Sequence, residues 1–309
     1  MDIFIQQLIN GLVVGSIYAL IALGYTMVYG ILQLINFAHG EIVMMGAMIT
    51  ISAVSILSGS GVNLPGPLLV VAGLLVSIPI TMLLGFTIER VAYRPLRKAP
   101  RLAPLITAIG ISIVLQQVAV LIWKNNPRSF PDLLPHASHD FMGAVITDLQ
   151  ILIVVLALVV MGGLLIMVEK TKLGRAMRAV SMNQSVASLM GVNINYVISM
   201  TFVIGSALGA VAGVMVGANY GLAYPTMGFM IGLKAFTAAV LGGIGNLAGA
   251  VAGGLLLGII ESVGAGYLGP ITGGVLGSHY QDIFAFMVLI LVLVFRPSGL
   301  LGERVAERA

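Results

Sequence analysis

The sequence lacks cysteine and has very little charge. Without cysteine, neither a disulfide nor a thiolate metal site can form. Only 8% of the 309 residues are Asp, Glu, Lys or Arg, whereas an ordinary soluble domain has about 25%. Residues of the AVILMFWYC set make up 59% of the chain. A water-soluble fold with so few charges could not solvate its surface, so the sequence predicts an integral membrane protein.

Several motifs of enzymes are absent as well. The sequence has no G-x-x-x-x-G-K-[ST] phosphate-binding loop and no H-E-x-x-H zinc motif, and no nucleophile with a matching base stands out. We therefore expect no catalytic residues, no ATP hydrolysis by that route, no metal and no bound cofactor. The net charge of +4 does not indicate a nucleic-acid partner, because the basic residues lie at the ends of apolar runs.

The apolar residues form continuous runs, most of them close to the roughly 20 residues that a helix needs to cross a bilayer. The runs do not alternate with polar residues, so helices are favoured over a barrel. We expect an all-α integral membrane protein, a polytopic bundle of about eight or nine transmembrane helices, some broken or short, in one domain over 1–309. The predicted spans are 4–30, 42–57, 67–88, 102–123, 149–168, 194–218, 229–243, 247–266 and 280–295.

The basic residues predict the orientation, because Lys and Arg concentrate in cytoplasmic loops. The loop 124–148 carries only Lys124 and Arg128, beside Asp132, Asp140 and Asp148, and is placed outside. This puts the N-terminus outside and the C-terminus inside, with nine crossings, unless 229–243 is re-entrant or 31–41 dips in without crossing. The residues assigned to the cytoplasm are Arg90, Arg94, Arg97, Lys98, Arg101, Lys170, Lys172, Arg175, Arg178, Arg296, Arg304 and Arg308.

A polar and flexible segment, 34–41 (LINFAHGE), separates the first two apolar runs. Gly40 can adopt backbone angles that a helix cannot, and Asn36 and His39 can bond backbone groups freed by a break. One interpretation is a broken helix that lines a pathway. The other is a simple cytoplasmic turn in which Asn36 and Glu41 cap the neighbouring helices.

The basic loop 169–193 contains the pattern of a short amphipathic helix within about 178–191. Asn183 or Ser185 is expected to begin the helix and Gly191 to end it. Such a helix docks in a groove on a partner or lies on lipid headgroups, and the local pattern does not separate these alternatives. Its apolar face follows i, i+3, i+4 spacing and consists of Val186, Leu189 and Met190.

A stripe of glycines runs along the sixth predicted span at strict i+4 spacing. Such a stripe lets another helix approach closely. Helix packing is the favoured role, and because the effect is steric, alanine should be far milder than leucine at these positions. The glycines are Gly205, Gly209, Gly213 and Gly217.

Two charged residues, Lys234 and Glu261, lie inside apolar runs, where charge is expensive. Lys234 could extend to the outer surface, and Glu261 could sit near a helix end. The alternative for both is a polar pathway or a pair between helices.

Several segments together resemble the permease subunits of branched-chain amino acid ABC importers, and among the two permease types of those systems the LivH type. The resemblance covers nearly the whole chain, in order. Its segments are 24–30 (GYTMVYG), 36–41 (NFAHGE), 88–97 (IERVAYRPLR), 173–176 (LGRA) with its following helix, 235–245 (AFTAAVLGGIG) and 296–299 (RPSG).

The resemblance implies an ABC importer permease architecture in a bacterial inner membrane. It implies four kinds of partner besides the lipid bilayer: a second, related permease subunit, two cytoplasmic ABC ATPases that bind ATP, and a periplasmic amino-acid-binding protein. It also implies that the amphipathic helix couples the ATPases to the permease. Residues assigned to coupling are Arg175, Arg178, Ser185, Val186, Ala187, Leu189, Met190 and Gly191.

In the coupling helix, ABC importer permeases often carry an E-A-A-x-x-x-G pattern. Here Ser185, Val186 and Ala187 occupy the E-A-A positions and Gly191 matches the glycine. With the glutamate missing, shape and apolar contacts remain to make the docking contact. Candidates for the translocation pathway are Asn36, Phe37, His39, Gly40, Glu41, Lys234 and Glu261.

The favoured function is import of leucine, isoleucine and valine. An alternative is the same type of permease with urea, another small amide or another amino acid as its substrate, since urea permeases look similar. A stand-alone secondary transporter or channel is an alternative of a different class, and it predicts uptake by this chain alone, driven by an ion gradient.

Overall fold

A computed structural model describes residues 2–61, 64–97, 99–100, 102–135, 137–141, 143–273, 280–296 and 298–302. Of the residues used above, Lys98, Arg101, Pro297, Arg304 and Arg308 lie outside these ranges.

Apolar helices make up most of the described chain. The long ones are α1 (Asp2–Leu32), α2 (His39–Gly59), α3 (Gly66–Ile88), α5 (Leu102–Trp123), α6 (Asp148–Lys170), α9 (Ile194–Tyr220) and α11 (Leu247–Ile271). The shorter ones are α4 (Arg94–Leu96), α7 (Lys172–Met182), α8 (Gln184–Leu189), α10 (Met227–Gly242) and α12 (Gln281–Phe295). A π-helical turn, Glu89–Tyr93, continues α3 into α4.

The long helices confirm the prediction of a multi-pass helical membrane protein. In the described part of the chain, seven helices are long and apolar enough to cross a bilayer, and two shorter apolar helices, Met227–Gly242 and Phe286–Phe295, accompany them. At a rise of 1.5 Å per residue, α10 is about 24 Å long, less than the roughly 30 Å of a hydrocarbon core.

The burial pattern of α5 shows why these helices are apolar on all sides. Its buried face carries small and polar residues, among them Ala108, Ser112 and Ala119, at spacings of three and four. Large side chains such as Ile106 and Leu121 are exposed. In water this arrangement would be inverted, whereas small residues at helix contacts with large apolar residues outside suit a bilayer.

The chain forms two compact units. The first consists of residues Met1–Thr26, His136–Val159 and Lys234–Ala309, and the second of Met27–Pro135 and Val160–Leu233. In the first unit, α1 packs closely on α11, and a Cβ atom at Gly15 would lie 2.8 Å from the Cα of Leu255. In the second, α2, α3 and α9 pack together, and a Cβ atom at Gly46 would lie 2.6 Å from the Cα of Ala210.

Two small antiparallel sheets were not predicted from the sequence. Strand β2 (Ser138–Phe141) pairs with β3 (Ala144–Thr147) in the first unit. Strand β1 (Arg128–Ser129) pairs with β4 (Leu222–Ala223) in the second unit. Both are short, and they lie in the segments that connect apolar helices.

The expectation that a short helix within 178–191 begins at Asn183 or Ser185 is confirmed, with Asn183 as its cap. Asn183 has an extended backbone (φ −160°, ψ 107°) that ends α7, and its side chain accepts a hydrogen bond from the Val186 N–H at the start of α8. A side-chain cap of this kind favours a new helix over continuation of the previous one. The predicted stop at Gly191 is confirmed, since that residue has φ +85°.

Candidate functional site

The chain between α1 and α2 is an irregular break. Gln33 takes a positive φ of 53°, and α2 begins six residues later at His39. Asn36 is buried in this break, and its Oδ1 accepts hydrogen bonds from the Ala38 N–H (3.2 Å) and from the Tyr93 hydroxyl (3.0 Å). The amide thus satisfies backbone and side-chain donors where the helix is interrupted.

Glu41 is fully buried, with 0% of its surface exposed. Its Oε1 accepts hydrogen bonds from the Ser112 hydroxyl (3.0 Å) and the Gln116 side-chain amide (2.7 Å), both on α5. The N-terminus of α2 has no side-chain cap. Glu41 therefore does not cap α2, as one sequence interpretation required, and instead links α2 to α5.

Gly40 sets the distance between α2 and the first turns of α10. A Cβ atom there would lie 2.8 Å from the Cα of Gly232 and would contact the carbonyl oxygen of Gly228. His39 is buried beside it. The polar segment is therefore enclosed by helices of the second unit on more than one side.

A cavity of about 590 Å³ lies next to Glu41 in the second unit. Both hydrogen-bond donors to the Glu41 carboxylate, Ser112 and Gln116, form part of its wall. The remaining wall is mainly apolar. The lining residues are Phe37, Ile109, Ser112, Ile113, Gln116, Thr226 and Phe229.

A second buried carboxylate, Glu89, was not singled out from the sequence. It is in the π-helical turn, accepts a hydrogen bond from the Ser199 hydroxyl (2.6 Å) and forms an ion pair with Arg97. Arg97 also donates to the Asn195 side chain (2.7 Å). Burial lowers the pKa of the Arg97 guanidinium, while the Glu89 carboxylate opposes that shift. This network fixes the basic segment against the start of α9.

The structure leaves the apolar face of α8 uncovered. Leu189 is 86% exposed, Met190 80% exposed, and Val186 and Ser185 are exposed as well, whereas Ala187 is buried. Gly191 follows in the left-handed region.

Two side chains attach α7 to α6 and α8 to α1. Arg178 donates to the carbonyl oxygens of Val168 and Glu169 in the last turn of α6, where a cation complements the helix dipole. The Gln184 amide donates to the Ile31 carbonyl oxygen (3.1 Å) at the end of α1. Arg175 is exposed to solvent.

Lys234 and Glu261 form an ion pair in the first unit, with 2.7 Å between Lys234 Nζ and Glu261 Oε1. The same ammonium group lies 2.7 Å from Asp282 Oδ1, a partner that sequence reasoning missed. It also sits 6.0 Å from the centre of the Tyr18 ring. Lys234 therefore does not extend to the surface, as one alternative allowed, but joins α10, α11 and α12.

The glycine stripe of α9 faces α2 in part. A Cβ atom at Gly209 would lie 3.2 Å from Ile42 Cγ2, and one at Gly213 would contact the Val43 carbonyl oxygen. A Cβ atom at Gly217 would lie 2.8 Å from Phe130 Cδ2, and Gly205 is buried. Within the described ranges, no group of three or more His, Cys, Asp or Glu side chains could hold a metal ion.

Apolar helices with buried intramembrane charges, a broken helix beside a cavity and an exposed amphipathic helix define a multi-pass membrane transport protein. The chain belongs to the branched-chain amino acid transport system / permease component family, whose model matches residues 7–293.

Three relatives show how far the similarity extends. The high-affinity branched-chain amino acid transport system permease protein BraD of Pseudomonas aeruginosa is 49% identical, over 99% of this chain and 98% of its own length. LivH of Escherichia coli, described in the same words, is 45% identical over 99% of this chain and 97% of its own. The ribose import permease protein RbsC of Escherichia coli is 31% identical, but over only 41% of this chain and 40% of its own.

Proposed function

We propose that this chain is the membrane-spanning permease subunit of an ATP-driven importer of leucine, isoleucine and valine in a bacterial inner membrane. The main support is the identity of 49% to a branched-chain amino acid permease along almost the whole of both chains. The similarity to a ribose permease covers less than half of the chain and does not favour a sugar substrate.

The importer requires partner subunits to bind ATP, because the sequence of this chain has no phosphate-binding loop. Two ABC ATPases associate with the permease on the cytoplasmic side and bind ATP. A second, related permease completes the membrane-spanning part, and a periplasmic amino-acid-binding protein delivers the substrate. Movement driven by ATP must then pass from the ATPases into this chain through a contact.

We assign that contact to α8. Its apolar side chains, Val186, Leu189 and Met190, are exposed beside one another, and the short helix is fixed at both ends by the Asn183 cap and the Gly191 turn. An exposed apolar helix face of this kind fits an apolar groove on a partner protein. Arg178 contributes by holding α7 against the end of α6.

Changing Leu189 to aspartate is expected to reduce ATPase association and uptake sharply. The substitution would place a charge in an apolar groove, which is costly unless the charge is paired. Since Leu189 is 86% exposed in the isolated chain, the permease itself should still insert and fold. The measurement is co-purification of the ATPases with the permease, with leucine uptake followed in parallel.

A matched control places the same charge on the side of α8 that is opposite to its apolar face. Ser188 is also exposed, but it points away from the apolar face, so Ser188→Asp should be far milder. If α8 instead lies on lipid headgroups, Leu189→Asp should leave ATPase association intact. Normal co-purification together with normal uptake would exclude α8 as the coupling contact.

The proposed orientation is tested separately with reporter fusions. A reporter active only in the cytoplasm should be active when fused after Arg178, because the basic segment is assigned to that side. Fused after Asp140, in the loop assigned to the periplasm, it should be silent. Activity at Asp140 would reverse the assigned topology.

A further inference from the structure

The carboxylate of Glu41 has hydrogen-bond donors but no cation. Its Oε1 accepts from Ser112 and Gln116, whereas its Oε2 has no hydrogen-bond partner among the residues that the structure describes. No Lys or Arg in those ranges forms an ion pair with either oxygen. A buried carboxylate without a cation is costly, so such a group is retained at a price in stability.

The position of Glu41 along the helices is deep. Ser112 lies about 15 Å from the start of α5 at Leu102, and Gln116 lies about 10 Å from its end at Trp123, at 1.5 Å per residue. The carboxylate bonded to both side chains is therefore well inside the apolar layer. At this depth an ionisable side chain points to a functional role.

The space beside the carboxylate suits a small molecule with one charged end. A cavity of about 590 Å³ falls in the range of roughly 300–1,000 Å³ that ligand pockets occupy. Ser112 and Gln116 form its polar corner, next to Glu41, and the apolar wall includes Phe37, Ile113 and Phe229.

Gly228 packs directly against the second carboxylate oxygen. Oε2 of Glu41 is buried, and a Cβ atom at Gly228 would contact it. The residue that follows, Phe229, lines the cavity. The absence of a side chain at Gly228 therefore lets this part of α10 approach Glu41 closely, so that the cavity wall formed by Phe229 lies near the carboxylate.

We propose that this cavity is a binding site for the amino acid during its passage, with the substrate's α-ammonium group at the polar corner of Ser112 and Gln116, where the buried Glu41 carboxylate behind them attracts it. The ammonium brings the missing positive charge and three hydrogen-bond donors. The branched apolar side chain then lies against Phe37, Ile113 and Phe229. The identity of the substrate rests on the proposed function above, but the preference of the site for a cation does not.

The absence of cysteine from the chain makes a direct test possible. In the assembled importer, Thr226→Cys puts one thiol of this chain at the cavity wall. Its labelling is measured by mass spectrometry with a cationic and an anionic thiosulfonate reagent of similar size. We expect the cationic reagent to react at least tenfold faster, because Glu41 attracts it.

The comparison is then repeated with Glu41→Gln, which keeps the size of the side chain and an acceptor oxygen for Ser112 and Gln116. We expect the preference for the cationic reagent to fall to the value measured at a distant exposed position, Ser60→Cys at the other end of α2. Glu41→Asp, which retains the charge, should keep most of the preference, and this separates loss of charge from disturbed packing.

Leucine provides the last arm of the test. It should slow labelling of Thr226→Cys when Glu41 is present and fail to do so with Glu41→Gln. An unchanged reagent preference with Glu41→Gln would overturn the cation site. A preference that depends on Glu41 but is unaffected by leucine would support the site and overturn leucine as its substrate, so the two hypotheses fail in different ways.

Discussion

Replacing Gly213 by alanine is expected to reduce the membrane level of folded permease to a small fraction of the wild-type level. A Cβ atom at Gly213 would contact the Val43 carbonyl oxygen and lie 2.8 Å from the Ala47 nitrogen. Both are backbone atoms of α2, so the only relief is separation of α2 from α9. Overpacking of this kind typically costs about 1–3 kcal/mol, occasionally more. The measurement is the yield of monodisperse protein after detergent extraction.

Two other glycines supply matched controls. At Gly209 the added Cβ would meet the Ile42 side chain at 3.2 Å, which can shift, so Gly209→Ala should be milder. At Gly162 an added Cβ would meet no heavy atom of the described residues within 4 Å, apart from its chain neighbours and the nearby backbone of α6, so Gly162→Ala should be neutral. Equal yields for all three variants would show that close approach of α2 and α9 is not needed. That alanine is far milder than leucine at these positions stays a prediction, and the backbone contact makes alanine itself disruptive at Gly213.

Replacing Lys234 by methionine should destabilise the permease strongly. The ammonium group is the shared partner of Glu261 and Asp282, and the Glu261 side chain is only 6% exposed. Removing one partner of a buried ion pair costs about 3–5 kcal/mol, because a charge is left without compensation. We expect a lower melting temperature of the purified protein and less of it in membranes.

The control also removes the Glu261 charge, which Lys234→Met leaves without its partner. Lys234→Met combined with Glu261→Gln should recover much of the lost stability, and the difference measures the coupling between the two side chains. Lys234→Arg, which keeps the positive charge, should be milder than Lys234→Met. A Lys234→Met protein as stable as the wild type would show that the two carboxylates find other compensation.

The spans could be predicted from the sequence because a bilayer imposes a length and a composition on any helix that crosses it. The predicted limits of α5, 102–123, agree with the structure. The sequence predicts the start of α2 at 42, three residues late, because Gly40 and Glu41 look like the end of an apolar run. In the structure they form its first turn, since α5 and α10 supply partners for them.

The partners of polar residues could not be predicted. Gln116 lies 75 residues from Glu41 and Tyr93 lies 57 residues from Asn36, and no periodicity connects them. Sequence reasoning missed Glu89 and Asp282 for a related reason. Each lies near the end of an apolar run, where a charged residue does not by itself indicate a buried site. The pairing of Lys234 with Glu261 was predictable only as one of several alternatives.

The start of α8 could be predicted from the sequence because its signal is local. The Asn183 side chain accepts from the Val186 N–H, as a helix cap does, and Val186, Leu189 and Met190 follow the cap at helical spacing. The difference in burial between the two short helices could not be predicted. Met177 and Val180 of α7 are buried, whereas the apolar face of α8 is exposed, and this depends on contacts with helices distant in the chain.

The bond between Gln184 and Ile31 has a mechanical consequence. It joins the first residue of α8 to the last turn of α1, directly before the irregular segment that leads to Glu41. A displacement of α8 must therefore either break this hydrogen bond or move the end of α1 together with α8. The irregular segment between α1 and α2 then takes up the displacement as a hinge, because it has no regular backbone hydrogen bonds and the helices on either side resist bending.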